Sequence, residues 1–456
     1  MPDKTTKRRD RRKAISDELE IDASPERKPS LKPDTQRKIA EDSPPKQVAQ
    51  RRAMKRVGRT LRAGSASTVQ YARKTKTMFD TFTHASEAEI VEQAGIFRPI
   101  SQFFSKMTFP TFLLLSGVVV MFAVMAFSNS NISVDRQDIS IVGLPPELEG
   151  YTIMLIGDLH AREFGPAQRT LLRAIEDLNY NMAVFTGDMV GAGGNAQPFY
   201  DLLEGLPASR PKFFIAGDSD PNPLISEPRQ EGKLQDMVLS DWVLGAQQRG
   251  ATYLSYTQSV PVGNQRMWLS PQSMLGVNLS DTLKLYEEQL SMEKEGVARE
   301  FESSRRDLPF TSYRYNTTTL THKASSEMLG SEVHIALTHI PPSQAFLSTS
   351  QQRGEEATVA YLPTVDLVLS GHYCGGVWKF PGVGAIYIPN TLYDNHGWFP
   401  DQRDVQGVKS LGFSTQYTTA GLGVTDKVLL PKFRLMNSPQ ISLLTLTAKI
   451  SNDLVG

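Results

Sequence analysis

The chain has 456 residues, of which 40% are hydrophobic and 21% charged, an ordinary globular composition with room for two or three domains. Its formal net charge is zero, but residues 1–106 carry 24 Lys and Arg against 14 Asp and Glu, so the remainder is acidic. The single cysteine, Cys374, excludes an intramolecular disulfide. The charge asymmetry indicates two regions with different surroundings.

The N-terminal segment, residues 1–105, is predicted to be a disordered basic tail. Over residues 1–75 it is rich in Lys, Arg, Ser, Pro and Gln, so it buries too little apolar surface to offset the entropy of ordering. Its basic clusters suit anionic lipid headgroups, and nucleic acid is the less favoured partner. A solvated tail that helps to set membrane topology is the simplest interpretation.

An uncharged apolar stretch, FPTFLLLSGVVVMFAVMAF, follows at residues 109–127. Its 19 residues would span about 28 Å as a helix, close to the hydrocarbon thickness of a bilayer. The stretch lies too far along the chain for a signal peptide. We predict one transmembrane helix over residues 108–128, with a buried core helix as the alternative. The positive-inside rule then places the tail in the cytoplasm and residues 130–456 outside it.

Beyond this stretch, short apolar strands alternate with amphipathic segments, which predicts an α/β domain over residues 135–450. Three predicted strands, at 151–156, 182–186 and 212–216, are each followed by Gly-Asp. The three aspartates that result are spaced by 30 residues: Asp158, Asp188 and Asp218. Carboxyl ends of parallel strands meet at one sheet edge. Carboxylates gathered there repel one another, and a divalent cation is the usual reason that they are tolerated.

Two later strands lead into histidines. Residues 333–338 precede His339, and residues 365–370 precede the sequence Gly-His-Tyr-Cys at 371–374. Mixed imidazole and carboxylate ligands suit Mn, Fe, Zn or Ni rather than calcium.

The segment between the third and fourth strands, about residues 225–330, is longer than a normal loop. We interpret it as an insert or lid region. Its charged helical part, about residues 281–307, could cover or dock a substrate, or could simply be a solvated surface helix.

The order of these motifs resembles that of the calcineurin-like metallophosphoesterases, in which Asp-x-His, Gly-Asp, Gly-Asn-His-Asp, His and Gly-His-x-His follow one another. The resemblance covers about residues 139–446. The sequences at 144–150, 397–400 and 421–423 are similar to the membrane-associated bacterial branch of that superfamily. The resemblance implies a β-sandwich flanked by helices (αββα) that holds two divalent metal ions.

The family's ligand roles pass to matching positions in this chain. The resemblance assigns Asp158 and His160 to the first metal, and Asp188 to both metals. It assigns His339 and His372 to the second metal. Two metals bound in this way clamp a phosphate and generate hydroxide for in-line attack.

Three positions depart from the family pattern. Asp218 replaces an asparagine that binds the second metal, and its carboxylate can occupy the same position with added negative charge. Ser219 replaces the histidine that stabilises the transition state or protonates the leaving group, and serine cannot act as an acid near neutral pH. His396, on another loop, is the alternative source of an imidazole. Cys374 replaces the last histidine, either as a thiolate ligand of the first metal that favours zinc or as a buried thiol.

The sequence therefore predicts a membrane-anchored phosphoesterase that cleaves a phosphomonoester or phosphodiester, with a lipid-linked ester as one candidate substrate. The positions expected to act in catalysis are Asp188, Ser219 and His396. The alternative is a degenerate relative that binds metal or phosphate without turnover, as a scaffold or receptor.

Overall fold

The computed structural model describes residues 108–226, 237–294, 304–355, 360–376, 378–388, 395–411, 414–425 and 434–448. The predicted basic tail, residues 1–105, lies outside the described residues.

The apolar stretch forms helix α1 (Phe109–Ser130), which begins with a proline in its first turn. Most of its large apolar side chains are exposed, because little of the rest of the described chain packs against them. Within the described residues, it is the one helix long and apolar enough to cross a membrane.

The strands of the domain are β1 (Ser133–Ile141), β2 (Thr152–Ile156), β3 (Met182–Thr186), β4 (Lys212–Ile215), β5 (Leu224–Ser226), β6 (Met237–Leu239), β7 (Ala251–Tyr253), β8 (Gln258–Val262), β9 (Gln265–Pro271), β10 (Val333–Leu337), β11 (Leu367–Ser370), β12 (Trp378–Phe380), β13 (Gly384–Ile388), β14 (Gly397–Trp398), β15 (Gly407–Leu411), β16 (Ser414–Thr418) and β17 (Gln440–Ala448). The helices that accompany them are α2 (Arg169–Glu176), α3 (Gln197–Gly205), α4 (Asp241–Gln248), α5 (Leu279–Lys294), α6 (Ser304–Glu327), α7 (Gln344–Glu355) and α8 (Gln402–Val405).

Two six-stranded sheets form the centre of the domain. The first has the order β1-β17-β2-β3-β4-β7, and the second has the order β15-β16-β11-β10-β9-β8. Strands β2, β3, β4 and β7 run parallel in the first sheet. Strands β16, β11, β10 and β9 run parallel in the second. Each sheet therefore gathers the carboxyl ends of four neighbouring strands at one edge.

Side chains point alternately to the two faces of each strand, and this alternation determines whether a side chain packs between the sheets or against the helices. Ile153 and Leu155 of β2 face the second sheet, and they share a core with residues such as Ile335 and Leu369. Met154 and Ile156 point to the opposite side, where α2, α3 and α4 cover the first sheet. A third apolar cluster packs α5 and α7 on the outer face of the second sheet. The predicted αββα sandwich is confirmed.

The insert predicted for about residues 225–330 is longer than the helical hairpin of α5 and α6, which covers only the second half of that range. Residues 251–271 form β7, β8 and β9, which belong to the two main sheets. Because these strands form their backbone hydrogen bonds within the two main sheets, residues 251–271 belong to the core of the domain and not to an insert. Residues 227–236 and 295–303 of the predicted insert lie outside the described residues.

Candidate metal centre

The structure brings all seven predicted metal ligands to the carboxyl edges of the two sheets. Asp158, Asp188 and Asp218 follow β2, β3 and β4 of the first sheet, within three residues of each strand end. His339 and His372 follow β10 and β11 of the second sheet in the same way. Because the sheets pack face to face, their carboxyl edges meet, and ligands separated by about two hundred residues become neighbours.

The first ligand group combines Asp188, Asp218, His339 and His372, the residues that the family resemblance assigns to the second metal. One ligand atom of each lies within 4.8 Å of the others. Nε2 of His339 lies 3.1 Å from Oδ1 of Asp218 and 3.3 Å from Oδ2 of Asp188. Nδ1 of His372 lies 3.4 Å from the same Asp218 oxygen. Asp218 is exposed, so this side of the group is open to solvent.

The second ligand group combines Asp158, His160 and Cys374, the residues that the family resemblance assigns to the first metal. Their ligand atoms also lie within 4.8 Å of one another. Sγ of Cys374 is 3.9 Å from Nε2 of His160. Asp158 and Cys374 are both fully buried. Cys374 therefore lies among ligand atoms, as the ligand interpretation requires.

Asp188 joins the two groups. Its Oδ2 atom lies 3.3 Å from His339 in the first group and 3.5 Å from His160 in the second. The other oxygen, Oδ1, accepts a hydrogen bond of 2.8 Å from the backbone N–H of Ser219. This hydrogen bond fixes the carboxylate so that one oxygen faces both groups, which is the position of a bridging ligand.

The donor set fits two divalent transition-metal ions. Two ligands bound to one ion at about 2.1 Å lie about 3.0–3.4 Å apart, close to the separations between the His339, His372 and Asp218 atoms. The first group offers two carboxylates and two imidazoles, and the second offers one carboxylate, one imidazole and one sulfur. Neither set resembles the all-oxygen environment of calcium.

The backbone of the site is strained. Asp158, His160, Asp188, His372 and Cys374 all have positive φ angles, between 48° and 80°. This left-handed conformation costs non-glycine residues free energy, and it persists where the surrounding structure enforces it, commonly at functional sites.

Close approach of the chain makes glycine necessary beside two of the ligands. A Cβ atom on Gly217 would collide with Oδ1 of Asp188. Gly421 has a φ of +63°, and a Cβ atom there would lie 2.7 Å from Oδ2 of Asp158. The ligand loops can therefore pack this tightly only because these positions lack a side chain.

Groups behind the ligands hold them in place. Nδ1 of His339 lies 2.8 Å from the carbonyl oxygen of Thr186, so this nitrogen carries the proton and Nε2 is left to face the first group. The backbone N–H of His372 donates to both carboxylate oxygens of Asp158, at 2.9 and 3.1 Å. The side chain of Asp220 accepts from the backbone N–H groups of Val190, Gly191 and Gly217, which ties two ligand loops together.

Burial and neighbouring charges shift the ionisation of the ligands. Burial raises the pKa of Asp158, and the carboxylate of Asp188 raises it further. Burial opposes ionisation of Asp188 too, but the hydrogen bond and charge of His339 outweigh it and lower the pKa of Asp188. Burial and the charge of Asp158 raise the pKa of Cys374. Formation of a thiolate at Cys374 therefore needs a nearby cation.

The two other positions predicted to act in catalysis are less well placed. Ser219 is half-buried on the loop between Asp218 and Asp220, and its backbone N–H supports Asp188. His396 is exposed, in the turn before β14, and belongs to neither ligand group. A catalytic role for either side chain stays a prediction.

Sequence reasoning missed the groups that support Cys374. The guanidinium of Arg434 is fully buried, and Nη2 donates to the carbonyl oxygen of Cys374 at 2.8 Å. Nδ2 of Asn437 donates to the same oxygen at 2.9 Å. No local pattern marks these residues, since they approach the loop from sixty residues away. Asp220, by contrast, directly follows Ser219 and is the last residue of the segment that matches the Gly-Asn-His-Asp motif.

Comparison with known proteins agrees with this geometry. Residues 151–376 match the family model of the calcineurin-like phosphoesterases. The chain belongs to this family. The match spans β2 to the end of the loop that carries Cys374, and so includes every predicted metal ligand. Its assignment to the membrane-associated bacterial branch stays a prediction.

Among solved structures, the phosphoesterase domain is similar to a phosphopantetheinyl hydrolase from Mycobacterium tuberculosis. The two share 12% sequence identity with a TM-score of 0.28, and the match covers 60% of this chain and 91% of the other. A likeness this distant carries no information about the substrate. A search among curated proteins found no significant match.

Proposed function

We propose that this chain is a membrane-anchored, metal-dependent phosphoesterase that uses two divalent ions held by the seven ligands. The observation that supports this most directly is the position of Oδ2 of Asp188 between His339 and His160. A carboxylate placed to bridge two ligand groups suits a pair of ions about 3.5–4 Å apart. Manganese, iron, zinc and nickel all suit the donor set.

The chain's own residues would supply binding and orientation. When bound, the ions supply Lewis acidity and activate water for attack on phosphorus. Asp218 is the most exposed ligand, so the phosphate approaches from its side, and its negative charge slightly weakens the attraction for an anionic substrate. No imidazole stands at position 219, so an ester with a good leaving group is favoured.

Membrane attachment is supported by the length and exposed apolar surface of α1, and the end of this helix is hydrogen bonded to the domain. The side chain of Asn129 at the end of α1 makes two hydrogen bonds with the backbone of Arg434, at 2.8 and 3.0 Å. A guanidinium nitrogen of Arg162 donates to the carbonyl oxygen of Asn129. A bilayer around α1 would therefore hold the phosphoesterase domain close to its surface, where a lipid-linked ester is a natural substrate.

The test is metal analysis of the purified full chain together with a phosphodiesterase assay across added manganese, zinc and nickel. We expect close to two ions per chain and hydrolysis of an activated diester such as bis(4-nitrophenyl) phosphate. Asp188→Ala should lower both ion content and rate, the rate by at least about 100-fold, since one ion alone cannot clamp both oxygens of the transition state. Activity that survives Asp188→Ala would reject the proposal.

The altered position 219 favours a second candidate, a metal- or phosphate-binding protein without turnover. The histidines of the two ligand groups, His160, His339 and His372, are all placed to bind the ions, and His396 belongs to neither group. Two bound ions with no hydrolysis of a broad panel of phosphate esters would support this candidate over the first.

A further inference from the structure

A cavity of ≈ 490 Å³ adjoins the candidate metal centre. It is lined by the metal ligand His339 and by residues at the ends of β4, β7, β9 and β10. The helices α5 and α6 close its other side. A volume of this size matches an organic group rather than a single phosphate.

Four aromatic side chains line this cavity, together with aliphatic and polar residues. Tyr253 enters from the first sheet, Tyr286 from α5, and Phe310 and Tyr313 from α6. All four are partly buried. Ring faces attract other planar rings through offset stacking and edge contacts, which adds to the gain from burial alone.

Polar groups lie between these rings. The hydroxyl group of Tyr313 hydrogen bonds with Ser255, and Thr317 and Thr318 of α6 also line the cavity. The hydroxyl group of Thr317 donates to the backbone carbonyl oxygens of Tyr313 and Arg314, so its oxygen is left to accept a hydrogen bond from a ligand. A ring with polar atoms at its edge could pair with such groups. The guanidinium of Arg314 lies 4.1 Å from the Phe310 ring and adds a positive charge at the wall, which suits a phosphate-bearing molecule.

We infer that this cavity holds an aromatic ring, either an aryl group or a nucleobase, on a substrate whose phosphate lies at the metal centre. The inference rests on the proposed function, because it takes the phosphate to be bound beside His339. The aryl case also agrees with the loss of an acid at Ser219. An aryl oxygen leaves as a stabilised anion, so its departure needs less proton assistance than that of an alkyl oxygen.

Binding of unreactive phosphonates tests the inference without relying on turnover. The full chain, purified in detergent and loaded with manganese, would be titrated by calorimetry with methylphosphonate, phenylphosphonate and the phosphonate analogue of adenosine 5′-monophosphate in which a methylene group replaces the bridging oxygen. We expect at least one of the two ring-bearing probes to bind at least about tenfold more tightly than methylphosphonate, the gain expected of one stacked ring. Preference for the nucleotide would indicate a nucleobase, and preference for phenylphosphonate a smaller aryl group.

A pair of variants on α6 provides the control. Tyr313→Ala should remove most of the tenfold gain and leave the affinity for methylphosphonate unchanged, which also shows that the variant is folded. Tyr315→Ala is the matched control, because Tyr315 bonds to Glu287 and does not line the cavity. It should leave all three affinities unchanged.

The possible failures are distinguishable. Equal affinity for methylphosphonate and both ring-bearing probes, or equal losses in Tyr313→Ala and Tyr315→Ala, would overturn the aromatic pocket while leaving the metal centre intact. If none of the three probes binds, the proposed phosphate site and the pocket are both overturned.

Discussion

Ser219 shows how one residue can lose a chemical role and keep a structural one. Its backbone N–H donates to Asp188, a contact that any residue other than proline could make at this position. What differs from the family pattern is only the side chain, which carries no group that ionises near neutral pH. The arrangement of the ligands is therefore compatible with serine, and the consequence falls on the leaving group alone.

We expect Ser219→His to increase hydrolysis of phosphate esters with poor leaving groups, because the imidazole can donate a proton. The gain should be about 100-fold for an alkyl ester, at the lower end of the usual effect of a general acid. An aryl ester with an activated leaving group should change little. Steady-state rates on a matched pair of alkyl and aryl esters would measure the difference, with Ser219→Ala as the control. An equal gain on both esters would contradict this explanation.

We propose that Cys374 sets the metal preference of the second ligand group. Its sulfur lies beside His160, and a thiolate binds zinc in preference to harder ions. We expect Cys374→Ser to weaken zinc binding at least about tenfold, more than it weakens manganese binding. Competition with a chromogenic chelator would measure both affinities, and Cys374→His should retain binding. Unchanged zinc affinity in Cys374→Ser would mean that the cysteine is only a buried thiol.

At the scale of elements, the carboxyl ends of parallel strands explain most of the site. Five strands from two sheets each place one ligand within three residues of their end. The sequence predicted these five strands because each is a short apolar run followed by glycine or by a metal-binding side chain. Their bounds differ from the prediction by at most two residues.

The amphipathic pattern of about residues 166–178 predicts one helix, but α2 covers only Arg169–Glu176. Residues 166–168 form a separate turn in which Ala167 and Gln168 have positive φ. The buried side chain of Gln168 accepts from the N–H of Phe164 and donates to the carbonyl oxygen of Arg162. These tertiary hydrogen bonds outweigh the local preference for helix, which the sequence pattern alone expresses.

The junction between α1 and the domain gives a prediction at the same scale. Asn129→Ala would leave the backbone N–H and carbonyl of Arg434 without their partners, so we expect the free energy of unfolding to fall by about 1–3 kcal/mol. Urea denaturation of the full chain in detergent would measure it. Asn131→Ala is the control, since Asn131 is exposed just beyond the helix. Equal stability of the two variants would show that the junction contributes nothing.

At the scale of the whole molecule, the charge distribution and α1 predict the topology. The basic residues precede α1, so we expect the N-terminal side in the cytoplasm and the phosphoesterase domain outside it. Full-length protein expressed in a bacterium should require detergent for extraction. Protease added to intact spheroplasts should digest the domain. Digestion of the domain only in inverted vesicles would show that the orientation is the opposite of the predicted one. Extraction by carbonate without detergent would contradict the prediction of a membrane-spanning helix.

The sequence by itself determined the five strands that carry candidate ligands, and the family resemblance of its motifs implied the αββα class. Apolar runs that end in Gly-Asp or Gly-His are local signals, and they remain readable without any knowledge of which strands pair. The order of the motifs then led to the calcineurin-like phosphoesterases, to which the chain belongs.

The tertiary structure decided how the two metal-ligand groups are joined and what surrounds them. The bridging position of Asp188, the support of Cys374 by Arg434 and the aromatic cavity beside His339 all depend on contacts between distant segments. Two sheets packed face to face create such contacts only after the whole domain has folded. Sequence spacing records the contribution of each strand to the site, but not the distances between strands that make the site work.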